Sequence, residues 1–298
     1  MNQARHAYLI IVHSNPYVLE KLVLMLDDVR NDIYIHVDKK TANFDFDYFR
    51  SLAKKSTLRY IDHRIDVRWG HVSQVAVEQS LFRAAYQNGE YSYFHLISGS
   101  DLPIKSQDYI HSFFEKNKDK EFIGFSNDVF DTERITKMYL FPKYMRVDGR
   151  VLWQRALRNV REKFLSLQRF FNYNYRKIED TKFVYGSNWV SLSNALVGDL
   201  IEKEKWFLRF YKYANCCDEI YKQSFVYNSD YINNVYDLDD ELRGCMRLMD
   251  WQRGRPYTFR KEDLDMIMDS EMLFARKFED SVDSEIVDLI YSRVRNQQ

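Results

Sequence analysis

AYLIIVHS (residues 7–14), PYVLEKLVLML (16–26) and DIYIHVD (32–38) follow one another with short breaks, and their order decides the fold. The first and third are short apolar runs rich in β-branched and aromatic residues, suited to strands buried on both faces. The middle run repeats its apolar residues at helical spacing. Together they predict a β-α-β opening. HVSQVAVEQSLFRAAYQNG (71–89) predicts a further helix ending at Gly89, YSYFHLIS (91–98) another buried strand, and EFIGFS (121–126) one more. Strands interleaved with helices predict a mostly parallel α/β sheet whose ligand contacts sit at the carboxyl ends of the strands. Neither GxGxxG nor GxxxxGK[ST] follows the first strand, so neither dinucleotide nor P-loop binding has motif support.

Composition narrows the rest. A chain of 298 residues, 45% hydrophobic and 16% aromatic, can bury a core without covalent staples. Lys+Arg and Asp+Glu both number 44, so no global charge recruits nucleic acid or membrane, and electrostatic partners must be read locally. Cys216, Cys217 and Cys245 give neither a disulfide framework nor zinc-ligand spacing, which fits a reducing compartment. The N-terminal run AYLIIV is shorter than a signal-peptide core and far short of a membrane span, so the expectation is a soluble cytoplasmic protein. With nine glycines, four prolines and no repeats or low-complexity linkers, residues 1–298 read as one domain.

Residues 143–177 break this balance. Lys143, Arg146, Arg150, Arg155, Arg158, Arg161, Lys163, Arg169, Arg176 and Lys177 face only two acids, Asp148 and Glu162. Trp153, Leu157, Val160, Phe164, Leu167 and Phe171 recur every three or four residues, predicting a basic amphipathic helix. Two readings stand: a helix packed on the core with a solvated basic face, or contact with an anionic surface or a phosphate-bearing acceptor.

Asp38 follows one predicted strand and Asp101 another, where a lone aspartate is either a ligand contact or a cap or turn former. His13 and His36 lie in strand-like runs and read as core. Arg276 and Lys277 stand side by side in LFARKFED (273–280), offering a planar fork and a point charge to an anion. Asp218 and Glu219 could supply a general base or merely a carboxylate at a helix N-terminus. Asp45 with Asp47, and Asp237 with Asp239, form DxD strings, although neither directly follows a convincing buried strand.

Several of these motifs resemble one family. LFARKFED with the preceding MDWQRGRPYTFRKEDL (249–264), GSNWVSLSNALV (186–197) followed by CCDEIYKQSF (216–225), and IHVDKK, SGSDLPIKS and RWGHVSQV near the front are similar to motifs of the xylosyltransferase and core-2/I-branching β-1,6-N-acetylglucosaminyltransferase family. The resemblance implies a GT-A fold, with a nucleotide-binding half over 1–125 and an acceptor and catalytic half over 126–298. It implies an inverting transfer from a UDP-sugar, with UDP-GlcNAc first and UDP-xylose or another UDP-hexose as alternatives, to a glycan or lipid-linked glycan acceptor. Glu219 matches the family's base. Arg276 and Lys277, with Arg260, match donor-diphosphate contacts; Asp38 and Trp69 fall near the nucleoside; Asp101, Trp189, Asp218 and Trp251 fall to acceptor or sugar. No cofactor or metal is expected, since protein cations stand where a DxD enzyme holds its ion. The short, cysteine-poor chain suggests a bacterial-type member building surface polysaccharide, perched at the inner face of the cell membrane. The competing classes are a sugar-nucleotide binding protein without turnover and a metal-dependent transferase using a DxD.

Overall fold

The computed structural model describes residues 4–14, 16–146, 150–178 and 181–296. The opening forms as its patterning predicts. β1 (His6–Val12) and β2 (Asn31–Val37) pair in parallel across α1 (Pro16–Leu26), with His6 opposite Asn31 and Val12 opposite Val37. The remaining strands are β3 (Thr57–Tyr60), β4 (Tyr93–Ser98), β5 (Asp101–Pro103), β6 (Ser191–Ser193), β7 (Arg247–Met249) and β8 (Phe274–Arg276). A five-stranded sheet has the order β3-β2-β1-β4-β6, all parallel except β6. A three-stranded sheet, β5-β8-β7, pairs β5 antiparallel and β7 parallel to β8.

Period-two alternation explains the layering. Tyr8, Ile10 and Val12 point into one core, which includes residues of α1, α4 (Gln107–Lys116) and α12 (Glu285–Arg295). Ala7 and Leu9 point into the other, against α3 (Ser73–Asn88), α7 (Asn194–Glu202), α8 (Glu204–Phe210) and α9 (Tyr221–Tyr227). Each fully buried Leu, Ile or Phe contributes about 1.5–3 kcal/mol, so two continuous cores suffice without cross-links. Short helices α2 (Phe46–Leu52), α5 (Glu133–Thr136), α10 (Glu241–Cys245) and α11 (Leu264–Asp269) occupy the connections, and α6 (Leu152–Phe170) lies over residues 137–145.

Three expectations change. EFIGFS forms no strand: Glu121 bridges Val235 and Phe122 bridges Ser191 as isolated pairs. The reason is crowding, since a Cβ on Gly124 would lie 2.2 Å from the Glu241 carbonyl oxygen and one on Gly186 would lie 2.1 Å from that of Gly124. Backbones that close cannot carry a regular ladder. Both sheets also cross the boundary at residue 125, because β6 completes the first sheet and β8 pairs with β5. Finally, the basic amphipathic helix exists as α6, but its apolar stripe is only partly covered, with Leu157 and Phe164 half-buried. Only Arg161, Leu165 and Gln168 are buried, while Trp153, Val160, Leu167 and Phe171 are exposed. Asp148, one of the two acids in that region, lies outside the described residues.

Candidate active site

The carboxyl ends of β1, β2 and β4 are encircled by a chain of contacts that takes in most of the sequence candidates. Start at β4. Ser98 and Asp101 form a tight turn in which Asp101 Oδ2 accepts from the Ser98 amide at 2.7 Å and Oδ1 accepts from its hydroxyl at 2.9 Å. Arg276, opposite Asp101 in the β5–β8 register, donates from Nη1 to Asp101 Oδ1 at 2.6 Å and to Ser98 Oγ. Its guanidinium lies 4.4 Å over the Trp189 ring. A guanidinium has five donors, and Nη1 accounts for both of these bonds. The rest of the fork can meet an anion.

Across β1, Gly99 donates to Ile11 and Asp38 to Val12, which brings the β2 end alongside. Asp38 is buried and accepts from the Lys40 amide at 2.8 Å and from Lys40 Nζ at 2.7 Å. Lys40 also reaches Asp66 at 2.9 Å, and Arg68 pairs with the same carboxylate. Trp69, half-exposed at 53%, follows directly. Gly70, at a positive φ of 71°, hands the chain on: its carbonyl accepts from the Cys216 amide at 3.0 Å, and Gln74 donates to Asp218 at 2.6 Å. A side chain at Gly70 would be strained at that φ and would press on Asn215.

The acidic pair lies in a single 3₁₀ turn, Cys217–Glu219, just before α9. Its two carboxylates face opposite ways. Asp218 is buried, and burial first, then the charges of Glu219 and Glu78, push its carboxyl up to about 8. Glu219 keeps a 41% exposed side chain and accepts from Arg134 Nη2 at 2.7 Å. Beneath them Lys222 and Glu78 form a fully buried ion pair; Lys222 also donates to the Asp218 carbonyl at 3.0 Å and to Asn188 at 2.7 Å. Removing one partner of such a pair typically costs about 3–5 kcal/mol, because the other charge is left buried and unpaired. The segment 186–189 closes the ring: Gly186 donates to the Glu219 carbonyl at 3.0 Å, Asn188 holds Lys222, and Trp189 lies under Arg276.

Asp38, Trp69, Asp101, Trp189, Asp218, Glu219 and Arg276 therefore share one ring. Lys277, next to Arg276, is ion-paired with Glu279. Trp251 and Arg260 stand outside, both exposed, on a segment whose Phe259 amide donates to the Lys277 carbonyl at 3.0 Å. Arg134 and Lys40, which sequence reasoning passed over, and His13, which it read as core, belong to the ring or its edge. Arg134 orients Glu219, and Lys40 bridges Asp38 to Asp66. His13 is exposed just beyond β1 and is not core; desolvation by its surroundings, then the charges of Arg276, Lys277 and Lys40, hold its imidazole below the ordinary value against the pull of Asp38. His36 is buried, its Nε2 accepting from the Ile65 amide at 2.8 Å.

Among the described residues no three His, Cys, Asp or Glu side chains come together as a metal-binding group. The DxD strings serve local turns: Asp45 caps α2 and Asp237 accepts from the amides of Asp239 and Asp240. A cavity of about 610 Å³ lies away from the ring, at the free edge of β3, lined by Arg59, His63, Arg83 and Glu204 among others. Among the described residues no helix is long and apolar enough to cross a membrane.

Comparison with known proteins adds the family. A family model for the Core-2/I-Branching enzyme matches residues 6–267. A xylosyltransferase of Ciona intestinalis is 24% identical over 95% of this chain, and human xylosyltransferase 1 is 23% identical over 96%. Xylosyltransferase 2 of Rattus norvegicus is 22% identical over 96%. The chain spans about a third of the length of these relatives, 33%, 30% and 33% respectively. Among solved structures, S. aureus TarS aligns over 45% of this chain and 24% of its own at 9% identity and a TM-score of 0.30.

Proposed function

The chain belongs to the Core-2/I-Branching enzyme family, and we propose that it is an inverting glycosyltransferase that moves a sugar from a UDP-sugar to a hydroxyl of a glycan acceptor, forming a β-glycosidic bond. One observation carries this reading: on a single ring of contacts, the more open member of one ion pair is a carboxylate, Glu219, and that of another is a cation, Arg276. Inverting transfer needs both. Glu219 takes the acceptor proton as the hydroxyl oxygen bonds to the anomeric carbon, and the bond to UDP breaks on the opposite face. Arg276, with Lys277 and Arg260, meets the charge growing on the diphosphate; Lys277 must then exchange Glu279 for phosphate.

Asp38 and Trp69 serve the nucleoside, and Trp189 and Trp251 offer apolar faces to pyranose C–H groups. Asp101 and Asp218 act through neighbours in this reading, Asp101 by holding Arg276 and Asp218 by bracing the turn of Glu219. UDP-GlcNAc is the donor proposed first. UDP-xylose is the second reading, favoured by relatives that carry the name xylosyltransferase. The acceptor proposed is a glycan, free or lipid-linked, in surface-polysaccharide synthesis of a bacterial type on the cytoplasmic side.

Transfer is proposed to need no divalent ion. One cation–anion contact at about 4 Å and an effective dielectric near 20 is of order 4 kcal/mol before desolvation, and two or three could replace a metal. The test is a panel of UDP-sugars, assayed for donor binding and hydrolysis with and without excess EDTA. Turnover that persists in EDTA supports the reading. Loss in EDTA restored by manganese would move the leaving-group charge to a metal, and binding without turnover would mark a sugar-nucleotide binding protein.

A further inference from the structure

We propose that α6 docks this protein onto an anionic lipid bilayer. A helix of a water-soluble domain ordinarily turns its apolar stripe toward the core. Here only the inner edge of the stripe is covered, with Leu157 and Phe164 half-buried, and its outer edge is left exposed. Of the nineteen residues of α6, the three buried ones are Arg161, Leu165 and Gln168, and two of those are polar tethers. Arg161 donates to the Tyr144 carbonyl at 3.0 Å, while Gln168 exchanges hydrogen bonds with the Met138 backbone at 2.9 and 3.0 Å. Trp153, Val160 and Leu167, seven residues apart, form an outward stripe that is 52, 49 and 52% exposed. Leu152, Phe170 and Phe171 extend it at both ends, at 76, 82 and 66%.

Charge selects the occupant. α6 carries five basic residues and one acid in a chain whose basic and acidic residues are equal in number overall. Arg155, Arg158 and Lys163 form no ion pair among the described residues, and none is needed if lipid phosphates are their partners. A stripe of Trp, Val, Leu and Phe flanked by Arg and Lys is the composition of a helix lying in the headgroup plane, with long cationic side chains reaching back to the phosphates. Trp153 and Tyr144, edge to face at 5.3 Å, add the amphipathic rings favoured at that depth.

The last turn of α6 leads to the candidate base. Arg169 donates to Glu133 at 2.6 Å, and the next residue of α5, Arg134, holds Glu219. A docked α6 would therefore set the ring beside the lipid surface, suited to an acceptor carried on a lipid. That last step rests on the glycosyltransferase reading, whereas docking does not.

The test is co-sedimentation of the full chain with vesicles of phosphatidylcholine alone and of phosphatidylcholine mixed equally with phosphatidylglycerol. Binding is expected to the mixed vesicles only and to fall steeply with salt. Val160→Ser with Leu167→Ser should weaken it tenfold or more, and Arg155→Gln or Lys163→Gln by about fivefold each. All four side chains are exposed, so melting temperature and UDP binding should be unchanged. Equal binding to both vesicle types, binding to neither, or a self-association abolished by the same substitutions would overturn the proposal. Vesicle binding by a protein that binds no UDP-sugar would leave docking standing and remove the transferase reading instead.

Discussion

Two arginine–carboxylate pairs of nearly equal length face the ring in opposite senses. Arg276 and Asp101 meet at 2.6 Å with the carboxylate sealed, 2% exposed, and the arginine the more open at 19%. Arg134 and Glu219 meet at 2.7 Å with the arginine the better covered at 16% and the carboxylate open at 41%. The same contact thus yields a presented cation in one place and a presented carboxylate in the other. What differs is which partner the fold buries: Asp101 is pinned by the Ser98 turn, whereas Arg134 is anchored by the Cys216 carbonyl at 2.8 Å. On the proposed reading, the buried member supports and the open member does the chemistry.

The largest effect expected from breaking this symmetry is at Glu219. Because a general base typically supplies about 10²- to 10⁴-fold, Glu219→Gln should lower turnover by that order while preserving shape and the bond from Arg134. Near-normal transfer would move the base elsewhere. Asp101→Asn probes the other pair from its buried side. Hydrogen bonds to charged groups contribute about 1.5–3 kcal/mol, so releasing Arg276 should weaken UDP binding by roughly ten- to a hundredfold. Unchanged affinity in a stably folded variant would show that Arg276 does not need this support.

An effect on stability rather than on turnover or UDP binding is expected beneath Glu219. Folding raises the Asp218 carboxyl from its ordinary value to about 8, so between roughly pH 4 and pH 8 the folded state holds a proton that the unfolded chain has released. Stability from this site therefore falls as pH rises through that window. Asp218→Asn removes the penalty, and its melting temperature relative to the parent should rise more at pH 8 than at pH 5. A larger gain at pH 5 would contradict the buried, neutral state of this side chain.

β1, β2 and β4 were legible because a run buried on both faces is rich in β-branched and aromatic residues, even where Asn31, Asp32, His36 and His95 are buried with them; the short strands β3, β5, β6, β7 and β8 offered no such run. The ring was legible only in its parts. Asp38, Asp101 and Glu219 could be singled out by place or motif, but the partners of the last two lie far away in the chain: Arg276 is 175 residues from Asp101 and Glu219 is 85 from Arg134. Nothing local in ERIT, the sequence of α5, marks Arg134 as a support. Helical spacing correctly gave α6, yet periodicity reports that a helix has an apolar side and not what covers it. His13 misled for a similar reason, since a residue ending an apolar run can lie just past the strand, where the sheet meets solvent.

The division of labour between the two pairs is tested most directly by calorimetric titration of UDP into Glu219→Gln and Arg276→Gln side by side. The account predicts that Glu219→Gln binds UDP within about twofold of the parent, whereas Arg276→Gln, losing charge-assisted bonds to the diphosphate, binds at least tenfold more weakly. Equal affinities in the two variants, or a greater loss at Glu219, would contradict it.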